Sequence, residues 1–159
     1  MRSVIQIHLE YKEDVIRDIE ISSTSNLEEL HYAIITAFEL EKNELASFYM
    51  TNEDFELLQE IPLLSIDEGE NPMLGMNEVI ISSILTKQGS QLLYIYGFIK
   101  MWRFLITLTE KKEEIISKPK CVKSVGEMPE DAPEITFEAE KESDPFEDAF
   151  DEANEYEQY

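Results

Sequence analysis

The sequence has few of the residues that usually build a reactive centre or a covalent framework. Cys121 is the single cysteine, so no disulfide forms within the chain, and we expect a reducing, cytoplasmic location. His8 and His31 are the two histidines, and the five glycines form no phosphate-binding loop. Because we identify no nucleophile, base or cofactor motif, we expect no bound cofactor and no enzymatic activity.

Long apolar runs are also absent. No stretch of about eighteen apolar residues occurs, so we expect no membrane span. The first residues, MRSVIQIHLEYKED, reach Glu10 too early for the apolar region of a signal peptide, so we expect none. With 159 residues, 43% of them hydrophobic, the chain is long enough for about one domain with a packed core.

Positive charge is scarce, since 13 Lys and Arg residues stand against 35 Asp and Glu residues, for a net charge of -22. Residues 127–159 hold 14 acidic residues and one basic residue, Lys141. Such a surface repels nucleic acid phosphates and anionic lipids. We predict a single domain over residues 1–126 and an acidic tail over residues 127–159, either partly disordered or weakly helical.

One stretch reverses this charge and is called the basic strip below. Its seven residues fall within 24 positions: Lys100, Arg103, Lys111, Lys112, Lys118, Lys120 and Lys123. Two interpretations remain open. Either the strip is a solvated surface beside a loose tail, or the acidic tail covers the strip and competes there with an anionic partner.

Hydrophobic periodicity predicts a β-hairpin followed by one amphipathic helix. Two β-branched stretches, residues 4–9 and 15–21, flank a polar break. Asn26 and Glu29 form a capping-box pattern at the start of the helix. The apolar stripe that follows has helical spacing: Leu27, Leu30, Ile34 and Phe38. This ββα order is like the beginning of a β-grasp sheet.

The second half of the chain predicts further short elements. Strands are expected near 47–50 and 55–58, a short helix within 77–85, and two aromatic strands at 91–97 and 101–110. After Ser117, prolines interrupt any long element. The predicted fold class is α+β, with an antiparallel or mixed sheet packed on one main amphipathic helix.

Three segments, in this order, resemble the plasmid pRiA4b ORF-3-like family of small bacterial and archaeal proteins. NLEELHYAIITAF resembles the family's Leu-x-x-Leu-His helix, and LLYIYGFIKMWRFLITLTE resembles its Tyr-Asp-Phe-Gly-Asp-x-Trp hairpin. KPKCVKSVGEMPED resembles its Pro-x-Cys loop and Pro-Glu-Asp. The resemblance spans about residues 4–132 and implies a protein of uncharacterised biochemical role.

The hairpin segment also departs from the family pattern. Its aromatic positions are kept: Tyr96, Phe98 and Trp102. Gly97 and Lys100 replace the two aspartates, and Ile99 replaces the turn glycine. A family role that needed the paired carboxylates, such as cation binding or acid–base chemistry, could therefore not operate here. Because Ile99 disfavours positive φ, the connection must differ from the family's turn.

The predicted function is that of a non-enzymatic interaction module. An unknown protein partner would dock on an exposed sheet edge or on the apolar tip Phe98-Ile99, which otherwise covers the core edge. The alternative is a nucleic-acid-associated protein, related to mobile elements, that binds only when the tail is displaced from the strip. The candidate interaction residues are Tyr96, Phe98, Ile99, Lys100, Trp102, Arg103, Lys111 and Lys112.

The remaining chemistry-bearing residues have ordinary interpretations. His31 lies at the margin of the helix stripe, where we expect a hydrogen-bonded histidine, with a pocket shared with Tyr96, Lys100 and Trp102 as the alternative. His8, His31 and Cys121 do not have the spacing of zinc ligands, so we expect no metal. The lysines beside Cys121 favour a thiolate, but we expect a loop cysteine without a catalytic role.

The aromatic strands have two interpretations. Tyr94, Tyr96, Trp102 and Phe104, beside Lys100 and Arg103, could stack the bases of a single strand. Alternation of residues 102–108 instead predicts that one face of the strand covers the helix. We favour the core, because a domain with one helix and one sheet has no other large apolar surface to bury.

Overall fold

The computed structural model describes residues 1–42, 44–52, 54, 56–66, 69, 72–97 and 100–129. Its strands are β1 Arg2–Leu9, β2 Ile16–Ser22, β3 Ala46–Thr51, β4 Leu57–Pro62, β5 Gln91–Tyr96, β6 Trp102–Lys112 and β7 Lys120–Val125. Its helices are α1 Leu27–Phe38 and α2 Ile81–Ile84, with a 3₁₀ turn at Met76–Glu78. All seven strands join one sheet in the order β4-β3-β5-β6-β1-β2-β7.

The predicted α+β class is wrong, because the protein is predominantly β. Every paired strand in the described sheet is antiparallel. The one substantial helix, α1, has 12 residues and cannot cover seven strands. The β-grasp comparison fails for the same reason: the opening ββα order is present, but it is only part of a much wider sheet. The periodic helix was conspicuous in the sequence, whereas the edge strand β7 was not.

Several local predictions are confirmed. β1 and β2 form the expected hairpin, with Ile5 opposite Ile19. Asn26 caps α1 by accepting a hydrogen bond from the Glu29 amide at 2.9 Å, and the Glu29 carboxylate accepts one from the Asn26 amide. The predicted helix within 77–85 is shorter than expected and is preceded by the 3₁₀ turn.

The core lies between α1 and one face of the sheet. β6 alternates buried and half-buried residues, as predicted, and Phe104 is fully buried against Phe38 with ring centroids 4.9 Å apart. Ile5, Ile7 and Leu9 of β1 lie beside this face of β6 and are also buried. The aromatic strands therefore form the core beneath the helix, and the core interpretation is confirmed over the base-stacking one.

β7 corrects a second prediction. The segment with Cys121, expected to be a loop, forms a strand that pairs with β2 along one side. All six of its residues are exposed, so no alternation of apolar residues marked it in the sequence. Pro119 stands immediately before the strand, where its missing amide costs no ladder hydrogen bond.

Part of the expected organisation lies outside the described residues, including the tail from residue 130 onward. Within the described part of the chain, no helix is long and apolar enough to cross a membrane. In the same part, no group of three or more His, Cys, Asp or Glu side chains could hold a metal ion.

Candidate functional site

A cavity of about 380 Å³ lies at the C-terminal end of α1, beside the turn that joins β5 to β6. We call it the hairpin cavity. Three aromatic side chains line it: Phe38, Tyr96 and Trp102. Three acidic residues, Glu39, Glu41 and Glu44, share its wall with the single basic residue Lys100. Leu40, Gly97, Met128 and Pro129 complete the lining.

The β5–β6 ladder positions two of the aromatic residues. Tyr96 is paired with Trp102 across the ladder, and both side chains are largely buried on the side that faces α1. The Tyr96 hydroxyl donates a hydrogen bond to the Glu41 carbonyl oxygen, which fixes the segment after α1 over the end of the hairpin. The floor of the cavity is therefore held by the same contacts that build the core.

Positive φ occurs on both sides of the turn between β5 and β6. Gly97 adopts φ +90°, so positive φ occurs at the position where the family has its first aspartate. Met101 also has positive φ, at 53°, immediately before β6. Phe98 and Ile99, the predicted tip, lie outside the described residues.

The electrostatics of the hairpin cavity are negative. α1 ends at Phe38 with Glu39 in the left-handed conformation, and no basic residue lies in the last turn of the helix. The Arg17 guanidinium, from β2, donates to the Ala37 carbonyl oxygen and offsets the negative end of the helix, so the three carboxylates determine the sign of the cavity. Burial raises the pKa of Tyr96, and the nearby Glu44 carboxylate raises it further. Lys100 is the one positive charge in the lining.

The hairpin cavity brings together the three segments that carry the family resemblance. The first segment contributes Phe38, the second contributes Tyr96, Gly97, Lys100 and Trp102, and the third contributes Met128 and Pro129. Tyr96, Lys100 and Trp102 line the cavity together; they are three of the four residues of the shared pocket that was the alternative interpretation. No sequence motif marks Leu40, Glu41 or Glu44, which follow the helix and complete this wall of the cavity.

His31 does not belong to this group. Its side chain is 1% exposed inside the core, and Nδ1 lies 2.7 Å from the Tyr94 hydroxyl oxygen in a hydrogen bond. Burial lowers the pKa of His31 to about 4 and raises the pKa of Tyr94 well above its usual value. The pair is therefore neutral at pH 7. The expected hydrogen bond is present, but the residue is fully internal rather than at a margin.

The basic strip is divided between the two ends of the sheet. Lys100 and Arg103 lie at the start of β6, whereas Lys111 and Lys112 lie at its end. Arg103 forms an ion pair with Glu10 at 3.0 Å, and Lys112 approaches Glu20 at 3.4 Å. Lys111 donates to the Thr86 carbonyl oxygen at 2.7 Å. Eleven residues of strand span about 35 Å, so these charges do not form one patch.

The rest of the strip lies on and beside β7. Lys118 and Lys120, with Cys121, form one wall of a groove of about 450 Å³, and α1 provides the other wall through Tyr32 and Thr36. Within the described residues no ion pair involves Lys118, Lys120 or Lys123. The cluster of lysines was visible in the sequence, but its position along an exposed edge strand was not.

A family model and a solved structure are both similar to this chain. The family model described as plasmid pRiA4b ORF-3-like protein matches residues 2–155. A crystal structure of a protein of unknown function from Methanosarcina mazei Go1 is similar, with a TM-score of 0.66 and 23% sequence identity. That similarity covers 94% of this chain and 87% of the other, and at this identity it concerns the fold alone. No curated protein matches the chain.

Proposed function

This chain belongs to the plasmid pRiA4b ORF-3-like family, and from that premise we propose that it is a non-enzymatic interaction module for a protein partner. The partner contributes an extended, acidic segment that docks on the outer edge of β7. The observation that carries the proposal is a fully exposed basic strand at the edge of the sheet.

The backbone of β7 provides the first part of the recognition. An edge strand presents a row of unpaired amides and carbonyls that pair with an added strand. β7 is hydrogen-bonded to β2, and no other described strand lies on its outer side. Val122 and Val125 are 45% and 36% exposed, so an added strand also covers apolar surface. Main-chain pairing supplies affinity here, and the side chains supply selectivity.

The charges on this edge select an acidic partner. Lys118, Lys120 and Lys123 lie on or beside β7, in a chain whose net charge is -22. The opposite edge, β4, has exposed Leu57 and Leu58 but no basic residue. Charge complementarity therefore favours β7 for an acidic segment and gives it a faster association rate at low salt.

The test measures the affinity of the full-length protein for a fluorescent peptide in which glutamate and valine alternate. The control is a peptide of the same length in which lysine replaces glutamate. We expect saturable binding of the acidic peptide alone. Lys120→Glu with Lys123→Glu should weaken the binding by about tenfold, because two favourable charge contacts become repulsive. Lys87→Glu, in an exposed turn away from β7, should leave the affinity within about twofold.

We expect the acidic residues after Pro129 to compete with the peptide as a tethered acidic segment. A chain shortened after Pro129 keeps every described element and should bind the acidic peptide more tightly than the full chain, because the tethered competitor is gone. Equal binding of both peptides, or no effect of the β7 substitutions, would contradict docking on this edge.

Nucleic acid association is the second candidate. One observation favours it: Lys111, Lys112 and Lys120 lie at the same end of the sheet. Lys112 pairs with Arg2 at the beginning of β1, and Lys120 pairs with Glu20 near the end of β2. The shortened chain should then bind a fluorescent single-stranded oligonucleotide with a strong salt dependence. If the shortened chain shows no salt-sensitive binding, this candidate fails.

A further inference from the structure

We propose that the hairpin cavity is a binding site for a small organic cation, an ammonium or guanidinium group on an apolar stem. This inference rests on the cavity at the end of α1 and is independent of docking on β7. The ligand's stem would lie on the aromatic floor, and its charge would lie among the carboxylates of the wall.

The size and floor of the cavity suit such a ligand. About 380 Å³ falls within the range of small-molecule sites. Phe38, Tyr96 and Trp102 present an apolar surface, and Leu40 and Met128 extend it. Because Tyr96 and Trp102 are held by the β5–β6 ladder and by the Glu41 contact, the floor is preformed and costs little ordering on binding.

The charge of the wall determines the sign of the ligand. Three carboxylates share the wall with one ammonium, that of Lys100, whereas the negative end of α1 is offset by the Arg17 guanidinium, which donates to the Ala37 carbonyl oxygen. A cation is attracted by the carboxylates, and the aromatic residues, which are 2–6% exposed, provide apolar contact for the stem of the ligand. An anion of the same size meets net repulsion and has only Lys100 as a partner.

Lys100 provides an internal test of the sign. Its ammonium repels a bound cation and partly neutralises the carboxylates of the wall. Removing this charge should therefore strengthen cation binding. Removing a carboxylate at Glu41 or Glu44 should weaken it. For an anionic ligand both effects would have the opposite sign.

Trp102 is the only tryptophan of the chain, so its emission reports directly on this cavity. We would titrate the full-length protein at neutral pH and low salt with n-butylguanidinium and n-butylammonium, and with butyrate and butanamide as an anionic and a neutral ligand on similar stems. We expect a saturable change in Trp102 emission with the cations only, weakened by added salt.

Substitutions in the lining of the hairpin cavity then show which charges contact the ligand. Glu41→Gln and Glu44→Gln should each weaken the affinity for n-butylguanidinium by about twofold to fivefold, and Lys100→Met should strengthen it by a similar factor. Glu110→Gln and Lys87→Met repeat these charge changes in exposed positions away from the cavity and should have no effect. All five positions are exposed, so thermal unfolding should be little changed and should confirm that the variants fold.

Three results would overturn the proposal. The first is preferential binding of butyrate, and the second is equal binding of charged and neutral ligands. The third is the absence of any saturable change in emission with either cation at millimolar concentration. Weakened binding in the Glu110→Gln control would also overturn it, because the effect would then come from overall charge rather than from the cavity.

Discussion

Gly126 follows β7 at a point where the chain passes directly over the turn between β1 and β2. It has φ +75°, and a Cβ at this position would overlap the carbonyl oxygen of Asp14. The position therefore requires glycine for two reasons, the left-handed conformation and the close backbone approach. It also sets the direction of the chain toward Met128 and the hairpin cavity.

We expect Gly126→Ala to lower the free energy of unfolding by at least about 2 kcal/mol, because it adds steric overlap to the cost of positive φ. Gly89→Ala is the matched control, since Gly89 has φ +94° but nothing within 4 Å of its Cβ position. That variant should cost about 1 kcal/mol. Urea unfolding measures both, and equal costs would show that the contact with Asp14 does not matter.

The buried His31–Tyr94 pair makes stability depend on pH. The unfolded chain protonates His31 near pH 6.5, whereas the folded chain does so only near pH 4. Between these values the unfolded state binds more protons, so stability is complete above about pH 6.5 and falls as the pH is lowered. The slope is about 1.4 kcal/mol per pH unit for one proton, so the total over about 2.5 pH units is at most about 3.4 kcal/mol.

We therefore expect His31→Gln to remove part of the loss of stability between pH 6.5 and pH 4, whatever its effect at pH 7. Urea unfolding at several pH values gives the slope directly. Carboxylates titrate in the lower part of this range, so the informative quantity is the difference in slope from the unsubstituted chain. A variant at position 31 that keeps the full slope would contradict this assignment.

At the scale of the elements, Arg17 connects β2, α1 and β7. Its Nε donates to the Ala37 carbonyl oxygen at 3.1 Å, and Nη1 donates to the carbonyl oxygens of Ile16 and Val125 at 2.9 and 3.0 Å. The guanidinium also lies 4.9 Å from the centroid of the Phe38 ring. One side chain thus attaches the edge strand to the helix at the point where both approach the hairpin cavity.

We expect Arg17→Lys to destabilise the fold by about 1–3 kcal/mol, because an ammonium cannot reproduce the planar, divergent donors and leaves carbonyl oxygens unpaired. Arg103→Lys is the control, since its ion pair with Glu10 is solvent-exposed and should contribute less than about 1 kcal/mol. Amide hydrogen exchange should show faster exchange in β7 of Arg17→Lys than in β1. Unchanged protection of β7 would mean that Arg17 does not attach this strand.

At the scale of the whole molecule, the net charge of -22 makes self-repulsion the dominant long-range electrostatic effect. We expect the free energy of unfolding to rise by roughly 1 kcal/mol between about 0.01 M and 0.15 M NaCl, as the screening length shortens. Thermal unfolding across this range measures the effect. The chain shortened after Pro129 lacks 13 acidic residues and one basic residue and should respond less. A fall in stability with salt would indicate that local ion pairs outweigh the repulsion.

The elements with strong local signals were predictable from the sequence. Asn26 and Glu29 marked the start of α1, and the alternation from Trp102 to Leu108 marked the buried face of β6. Family membership was also evident from three segments of sequence. In each case a pattern of neighbouring residues sufficed, because burial repeats with the period of the helix or strand.

The width of the sheet and the location of the cavity follow from contacts between segments that are distant in the sequence. β7 is exposed at every residue, so burial left no periodic signal in its sequence, and its pairing with β2 joins segments about a hundred residues apart. The hairpin cavity likewise depends on the meeting of Phe38, Trp102 and Met128. These contacts depend on long-range strand pairing, which leaves no local periodic signal. The individual helices and strands can therefore be recognised in the sequence, whereas the three-dimensional fold establishes which of their residues face one another.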